Sequence, residues 1–217
     1  MRPRIIYCYD AYCGWCFGFS PVIKELWVRN RNRFEFETLS GGMIPVESTK
    51  HISSIAGFIQ GAYKNVEQLT GVEFGQDYLW HIFNPDQSDW FPCSEMPAIA
   101  MTVFREYHPD RTIEFACDLQ YALHFEGRDL TDREAYRHLT EKYEIPIEEF
   151  FEKLKTEKYK EAAYYDFTLV QQLKVNGFPT LFIQISDSKL YMIGRGFTDL
   201  ETLEERISNV LKEVNNA

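Results

Sequence analysis

The first forty residues hold three segments whose pattern of apolar and polar side chains predicts a β-α-β unit. Residues 4–9 contain the continuous apolar run IIYCY, which is typical of a buried strand, and residues 14–30 follow as a predicted helix. Residues 34–39 alternate between apolar and polar side chains, as a half-buried strand does. The Ser40-Gly41-Gly42 segment then ends this second strand.

The middle of the chain, residues 48–174, is predicted to be helical. Residues 74–93, which are rich in Trp, Phe, Pro and Asp, are the exception and predict an irregular connection. Three local signals mark helix starts within this part of the chain. They are Ser94 as the N-cap of a helix that ends near Pro109, a capping box at Thr131 and Glu134, and Pro146 in the first turn of the next helix.

Strand patterns return near the C-terminus and predict a hairpin followed by a helix. Residues 180–185 and 190–193 are apolar runs with strand character, and Asp187-Ser188 between them predicts the turn. A second capping box, at Thr198 and Glu201, opens a helix with one apolar stripe. The stripe consists of Leu200, Leu203, Ile207, Val210, Leu211 and Val214.

The order of these elements, β-α-β, several helices and then β-β-α, predicts one α/β unit interrupted by a helical insertion. We expect residues 1–47 and 175–217 to form one discontinuous domain, and residues 48–174 to form the insertion. A chain of 217 residues is long enough for one sizeable core of this kind.

The net charge and the hydropathy of the chain argue against several classes of binding partner and location. The formal net charge of −10 disfavours nucleic acids and anionic membranes. No run approaches the roughly 18 apolar residues that a membrane helix needs, and the N-terminal Met-Arg-Pro-Arg lacks the apolar core of a signal peptide. We therefore predict a cytoplasmic protein that binds neither nucleic acid nor membrane, while its oligomeric state stays open.

The junction between the first strand and the first helix carries the sequence Cys13-Gly14-Trp15-Cys16. The first thiol falls at the helix N-terminus, where the helix dipole and free N–H groups favour a thiolate. The second lies about one turn inside, close enough to attack a mixed disulfide formed on the first. Because five cysteines cannot all pair, and because reducing compartments disfavour structural disulfides, this C-x-x-C predicts a catalytic or metal-binding pair.

Two further features complete a resemblance to a known family. The sequence GFPT at residues 177–180 precedes the third predicted strand, and Pro21 lies five residues after Cys16. Together with the C-x-x-C, these motifs resemble those of the DsbA-like family, and most of all its cytoplasmic FrnE-like branch of predicted disulfide isomerases. The resemblance covers essentially the whole chain and implies a thioredoxin fold with a helical domain inserted between its halves.

The resemblance also implies how the site works, as a thiol–disulfide oxidoreductase that reduces or isomerises disulfides. Cys13 would be the exposed nucleophile and Cys16 the buried resolving thiol, forming a redox-active disulfide with no bound cofactor. Pro179 would be cis and would face the disulfide, while the backbone of Phe178 would pair with an extended substrate. The substrate would be a disulfide-containing protein or a small thiol, and glutathione or a thioredoxin-type system would be the reductant.

The dipeptide between the cysteines departs from the family pattern. Gly14-Trp15 stands where DsbA has Pro-His and disulfide isomerases have Gly-His. Without the histidine one stabiliser of the thiolate is missing, so we expect a redox potential more reducing than that of DsbA. We expect Trp15 to be exposed beside Cys13 as an apolar platform for substrate, and Asp10 is a candidate for a buried proton relay.

Other interpretations of the same residues stay open. Cys8, Cys13 and Cys16 match the first three ligands of a plant-type 2Fe–2S site, with Cys93 or Cys117 as a fourth, whereas a zinc site would need two further ligands at defined spacing. Kappa-class glutathione transferases and hydroxychromene-carboxylate isomerases share the implied fold but lack the resolving cysteine. A non-catalytic polypeptide-binding module would instead use the insertion to hold unfolded chains.

Overall fold

A computed structural model describes residues 2–215 and contains a four-stranded mixed sheet in the order β2-β1-β3-β4. The strands are β1 (Arg4–Tyr9), β2 (Glu35–Ser40), β3 (Thr180–Ser186) and β4 (Lys189–Arg195). β1 pairs with β2 in parallel and with β3 antiparallel, and β3 pairs antiparallel with β4. The fold is the predicted one, a thioredoxin-like β-α-β and β-β-α arrangement around a single sheet.

The helices surround this sheet and fill the long connection between β2 and β3. They are α1 (Gly14–Asn30), α2 (Ser53–Thr70), α3 (Gln76–Phe83), α4 (Glu95–Tyr107), α5 (Thr112–His124), α6 (Arg137–Lys142), α7 (Ile147–Lys153), α8 (Glu157–Gln172) and α9 (Leu200–Asn215). Short 3-10 turns occur at Val46–Ser48, Pro85–Gln87 and Arg133–Tyr136. Within residues 2–215, no helix is long and apolar enough to cross a membrane.

The predicted irregular connection at residues 74–93 is wrong in its first half, because α3 occupies Gln76–Phe83. Tyr78, Leu79 and Ile82 are buried along one side of this helix. Their spacing of three and four residues is a helical pattern. The many Trp, Phe, Pro and Asp residues around it concealed that pattern in the sequence.

The predicted capping threonines are replaced by aspartates at two helix starts. At the 3-10 turn Arg133–Tyr136, the Asp132 carboxylate accepts the Glu134 N–H, while the Thr131 hydroxyl donates to Asp129. At α9 the Asp199 carboxylate accepts the Thr202 N–H at 2.8 Å. In both places an aspartate one residue after the predicted threonine is the cap, because a carboxylate accepts these hydrogen bonds more strongly than a hydroxyl.

Ser94 and Pro146 also differ from the prediction. Ser94 is in the N-cap position of α4, but its side chain makes no capping hydrogen bond and instead contacts Asp10, as described below. Pro146 is the N-cap residue of α7 rather than part of its first turn, and the helix begins at Ile147. Both helices nevertheless start where the sequence indicated.

β1 is buried on both faces, which explains its continuous apolar run. Ile5, Tyr7 and Tyr9 face the main core, which also contains α1. Ile6 and Cys8 face a second, smaller apolar cluster. The remaining buried members of that cluster are Leu39 of β2, Val170 of α8 and Phe182 of β3.

α8 therefore packs directly on the sheet although it precedes β3 in the segment expected to be the insertion. Its Asp166 carboxylate accepts the Ser40 N–H at 3.3 Å and pairs with Arg105 of α4 at 2.8 Å. Arg105 also donates to the Thr38 carbonyl at 2.6 Å. The division of the chain at residues 48 and 174 stays a prediction, and these contacts join the two predicted parts along β2.

Candidate active site

Cys13 and Cys16 lie at the N-terminus of α1, directly after β1 and a short loop. Cys13 is the N-cap residue with extended backbone (φ −84°, ψ 107°), and its Sγ accepts the Cys16 N–H at 3.3 Å. Its own N–H donates to the Asp10 carbonyl at 3.1 Å. A backbone donor aimed at this sulfur, together with the positive end of the helix dipole, stabilises negative charge on it.

The two thiols differ in accessibility, but less than expected. Cys13 retains 7% of its surface and Cys16 is fully buried, and both are free thiols. Burial, reinforced by the hydrogen bond and charge of Cys13, raises the pKa of Cys16 well above its usual value. The expectation of an exposed Cys13 is corrected to one of a nearly buried sulfur, because the Phe178 carbonyl and neighbouring core residues cover it.

Phe178 and Pro179 lie in the loop before β3, and the Phe178 carbonyl contacts Cys13. The peptide bond between them is cis, as expected, and Pro179 is buried. The Cys13 thiol donates to the Phe178 carbonyl oxygen at an Sγ···O distance of 3.5 Å. The Phe178 ring lies against the backbone of Gly41, where an added Cβ would come within 2.1 Å of its Cζ. The loop after β2 thus supports the loop before β3.

Asp10 is buried and its carboxylate holds three segments together. Oδ1 accepts the Tyr12 N–H and the Ser94 hydroxyl, each at 3.0 Å, and Oδ2 accepts the Met43 N–H at 2.8 Å. Burial raises the pKa of Asp10, although these three donors oppose the shift. Through these donors the carboxylate positions the loop that precedes Cys13, and its candidate role as a proton relay stays a prediction.

Gln120 and His124 of α5 support the same loop from the core side. Gln120 Nε2 donates to the Asp10 carbonyl at 2.6 Å, and the His124 Nδ1 lies 3.1 Å from the Gln120 carbonyl. His124 stacks on Phe17 of α1 with ring centroids 5.2 Å apart, and burial lowers its pKa to about 4. The roles of Ser94, Gln120 and His124 in supporting this site were not predicted, because nothing in their local sequence points to residues about a hundred positions earlier.

Trp15 and Gly14 lie beside Cys13, and the Trp15 side chain is less exposed than expected. Trp15 is half-buried and packs against the main core instead of projecting as an exposed platform. Gly14 faces the Phe74 ring, at 3.4 Å from an added Cβ. The indole therefore has only part of its surface free for a substrate.

The remaining cysteines are not gathered around the pair. Cys8 lies in the smaller cluster on the opposite face of the sheet from Cys13 and Cys16, and burial raises its pKa to about 12. Cys117 donates to the Ser20 carbonyl on α1. Among the residues described, no group of three or more His, Cys, Asp or Glu side chains is placed to hold a metal ion. The alternative 2Fe–2S ligand set is therefore not assembled among residues 2–215.

A family model described as thioredoxin matches residues 7–205, a range that holds the cysteine pair, the helical connection and the cis-proline loop. The chain belongs to the thioredoxin family. This match covers most of the chain, from the middle of β1 through the helical connection to the first turns of α9.

Solved structures with the same fold cover nearly the whole of this thioredoxin-family chain. A candidate protein disulfide isomerase from Nitrosomonas europaea is 20% identical, with 98% of this chain and 99% of that one covered and a TM-score of 0.84. The cytosolic disulfide reductase DsbM from Pseudomonas aeruginosa, in a structure with GSH, is 24% identical, with 96% and 99% covered and a TM-score of 0.74. These similarities establish a DsbA-like form of the fold.

A curated relative is similar over a shorter stretch of its own sequence. The ClpXP adapter protein SpxH from Bacillus subtilis strain 168 is 22% identical over 181 residues, which is 83% of this chain. The chain spans 58% of the length of that relative. The remainder of SpxH has no counterpart in this alignment.

Proposed function

We propose that the protein is a thiol–disulfide oxidoreductase that reduces or isomerises disulfides through Cys13 and Cys16. The observation that supports this most is the arrangement around the Cys13 sulfur. It accepts the Cys16 N–H at 3.3 Å, lies 3.5 Å from the Phe178 carbonyl, and has the fully buried Cys16 one helical turn behind it. In such a site the Cys13 sulfur is positioned to attack the substrate disulfide, and the Cys16 thiol is positioned to resolve the mixed disulfide that results.

The reaction has two exchange steps. The Cys13 thiolate attacks one sulfur of the substrate disulfide, so that a Cys13–substrate bond forms while the substrate bond breaks and the departing thiolate takes up a proton. Cys16 then loses its proton and attacks the Cys13 sulfur, which releases the second substrate thiol. The substrate gains two electrons and two protons, and Cys13 and Cys16 become a disulfide.

The raised pKa of Cys16 separates these steps in time. A protonated Cys16 does not compete with Cys13 for the substrate, since only the thiolate is nucleophilic. It must be deprotonated before resolution, which lets the substrate's own thiol attack the mixed disulfide first when one is near. Resolution by Cys16 gives reduction, and resolution by the substrate thiol gives isomerisation.

Two molecules of a small thiol such as glutathione would restore the reduced pair, each giving one electron while a glutathione disulfide forms. The neighbour DsbM is described as a cytosolic disulfide reductase and has a structure with GSH, which supports a cytoplasmic location and a reducing direction here. The absence of histidine between the cysteines supports a potential more reducing than that of DsbA.

The presence of Cys16 also favours this activity over a kappa-class glutathione transferase or isomerase. Those enzymes use one hydroxyl or thiol at the first cysteine position and have no resolving thiol. Here Cys16 is fully buried, and its backbone N–H donates to the Cys13 Sγ at 3.3 Å. A transferase would have no use for it.

Trapping of the mixed disulfide tests the proposal. With an insulin or peptide disulfide as substrate, Cys16→Ser should accumulate a covalent adduct on Cys13, visible by intact mass under denaturing, non-reducing conditions. Cys13→Ser should form no adduct and should lose turnover, while Cys117→Ser serves as the control and should behave as wild type. Full exchange activity in Cys13→Ser would overturn the proposed function.

A further inference from the structure

The outer edge of β2 directs some of its backbone groups away from the sheet. β2 is an edge strand, because the strand order is β2-β1-β3-β4. The Glu35 N–H donates to the Pro3 carbonyl, next to β1, at 3.0 Å. Since residues of a paired parallel strand point their N–H and carbonyl groups alternately to either side, Phe36, Thr38 and Ser40 point theirs outward.

Two side chains of neighbouring helices cover the later half of this edge. Arg105 donates to the Thr38 carbonyl at 2.6 Å, and the Asp166 carboxylate accepts the Ser40 N–H at 3.3 Å. The N–H and carbonyl of Phe36 have no hydrogen-bond partner within residues 2–215. Because unpaired groups on an edge strand are a template for another strand, the edge is open at Phe36.

This open position lies far from the cysteine pair. β1 runs toward the loop that leads to Cys13, and β2 runs parallel to β1. Phe36 is the second residue of β2 and pairs with Ile5, the second residue of β1. It therefore lies toward the end of the sheet opposite the candidate active site.

A cavity of about 390 Å³ borders the open edge and is rich in arginine. Phe36 is among its lining residues, together with Arg2, Arg4, Arg31 and Arg105. The volume is within the roughly 300–1,000 Å³ that is usual for ligand pockets. Four guanidinium groups are thus gathered in one place on a chain whose formal net charge is −10.

Two of the four guanidinium groups are paired with carboxylates. Arg4 pairs with Glu35 at 3.2 Å and with Glu37 at 2.8 Å. Arg105 pairs with Asp166 at 2.8 Å. These two arginines are held by the protein's own acids.

Arg2 and Arg31 differ, because neither forms an ion pair with a carboxylate of residues 2–215. Both side chains are exposed, and the Arg31 Cζ lies 4.9 Å from the centroid of the Trp27 ring. The lining as a whole holds four arginines against three acids, the third being the exposed Asp110. The unpaired guanidinium groups favour an anionic occupant.

We infer that this edge and cavity bind an extended, acidic segment of a partner polypeptide. The segment would add to β2 as a short strand, exchanging hydrogen bonds with the N–H and carbonyl of Phe36. Its carboxylates would bind Arg2 and Arg31 through charge-assisted hydrogen bonds. Because the net charge of the whole protein repels an acidic chain, the arginine-rich cavity also determines where such a chain binds.

Charge argues against a second copy of this chain as the occupant. Antiparallel pairing of two β2 strands about Phe36 would place Glu35 of one chain opposite Glu37 of the other, and the reverse. Like charges directly opposite each other destabilise a strand pair. A separate acidic segment has its own carboxylates free to face the arginines instead.

The test uses a fluorescent hexapeptide of alternating Val and Glu, and a counterpart with Gln in place of Glu. Anisotropy should show that the Glu peptide binds the wild type at least about tenfold more tightly than the Gln peptide. Arg2→Gln and Arg31→Gln should each weaken the Glu peptide by about fivefold, as expected for an exposed ion pair. Arg33→Gln is the matched control, because Arg33 is exposed two residues from Arg31 and does not line the cavity.

Hydrogen exchange detected by NMR supplies a second readout, since the Phe36 N–H should exchange more slowly when the Glu peptide is bound. No binding at about 1 mM Glu peptide, or unchanged exchange at Phe36 when it is bound, would overturn the inference. Equal weakening by Arg31→Gln and Arg33→Gln would also overturn it, because net charge alone would then attract the peptide. A Phe36 N–H that is protected in the free protein and loses this protection on dilution would show that a second copy covers the edge, against the inference.

Discussion

Replacing Gly41 by alanine tests whether the contact between the loop after β2 and the Phe178 ring holds the exchange site in place. A Cβ on Gly41 would lie 2.1 Å from Cζ and 2.5 Å from Cε1 of Phe178, whereas ordinary contact begins near 3.4 Å. The ring must therefore shift by more than an ångström. Rotation alone does not clear the Cβ, because Cε2 on the other side of the ring would also be within 2.8 Å.

The expected cost follows from this geometry. Forcing one extra carbon into a packed contact costs about 1–3 kcal/mol, so we expect the free energy of unfolding to fall by about 2 kcal/mol. A displaced Phe178 also moves the carbonyl that contacts Cys13. Because a misplacement of about 1 Å near a reacting group can cost about 100-fold in rate, the exchange rate constant should fall by about 10–100-fold.

Urea unfolding and the rate of exchange with glutathione disulfide would measure both effects. Gly177→Ala is the control, since Gly177 lies in the same loop as Phe178 and an added Cβ there meets no atom within 4 Å. We expect its unfolding free energy to stay within about 0.5 kcal/mol of wild type. Equal stability and equal exchange rates for Gly41→Ala and Gly177→Ala would refute the role assigned to this contact.

Two further predictions concern buried charge. Arg105→Ala should lower the free energy of unfolding by about 3 kcal/mol, because it leaves the buried Asp166 carboxylate without its cation. Arg128→Ala, which breaks a more exposed pair with Glu126, should cost less than about 1 kcal/mol, and equal costs in urea unfolding would contradict the argument. Burial lowers the pKa of His124 from its ordinary 6.5 to about 4 in the folded protein. Between these two pH values the unfolded chain is protonated at His124 and the folded protein is not. The stability tied to His124 should thus be complete above pH 6.5 and fall as the pH drops toward 4, and below that the loss should amount to about 3 kcal/mol. His124→Gln should show a shallower fall in unfolding free energy between pH 7 and 5, and parallel curves for the two proteins would show that His124 is not the group responsible.

Features that depend on local sequence were predictable. The bounds of α1 were predicted correctly as residues 14–30, because an apolar strand, the C-x-x-C and a run of helix-compatible residues follow one another without interruption. The C-terminal hairpin was found for the same reason, with its turn between β3 and β4. The cis bond before Pro179 followed from the family resemblance and is confirmed.

Features that depend on contacts between distant segments could not be predicted from the sequence. Ser94 is a typical N-cap residue, yet its hydroxyl donates to the Asp10 carboxylate, 84 residues away. A buried carboxylate is a strong acceptor for this hydroxyl proton. The donors that Met43 and Ser94 supply to the Asp10 carboxylate could likewise not be predicted from the sequence. Trp15 is half-buried because it packs against the main core, to which helices α3, α4 and α5 contribute, and no local pattern specifies where those distant helices lie.

The contact between Cys13 and Phe178 joins residues 165 positions apart, and this has a consequence during protein synthesis. A ribosome adds about 5–20 residues per second, so Cys13 leaves the exit tunnel roughly 10–30 s before the segment that completes its surroundings. The supports at Met43, Ser94 and Gln120 arrive in that order in between. The dithiol of a nascent chain is thus an ordinary flexible C-x-x-C, and the positioned pair exists only in a finished polypeptide.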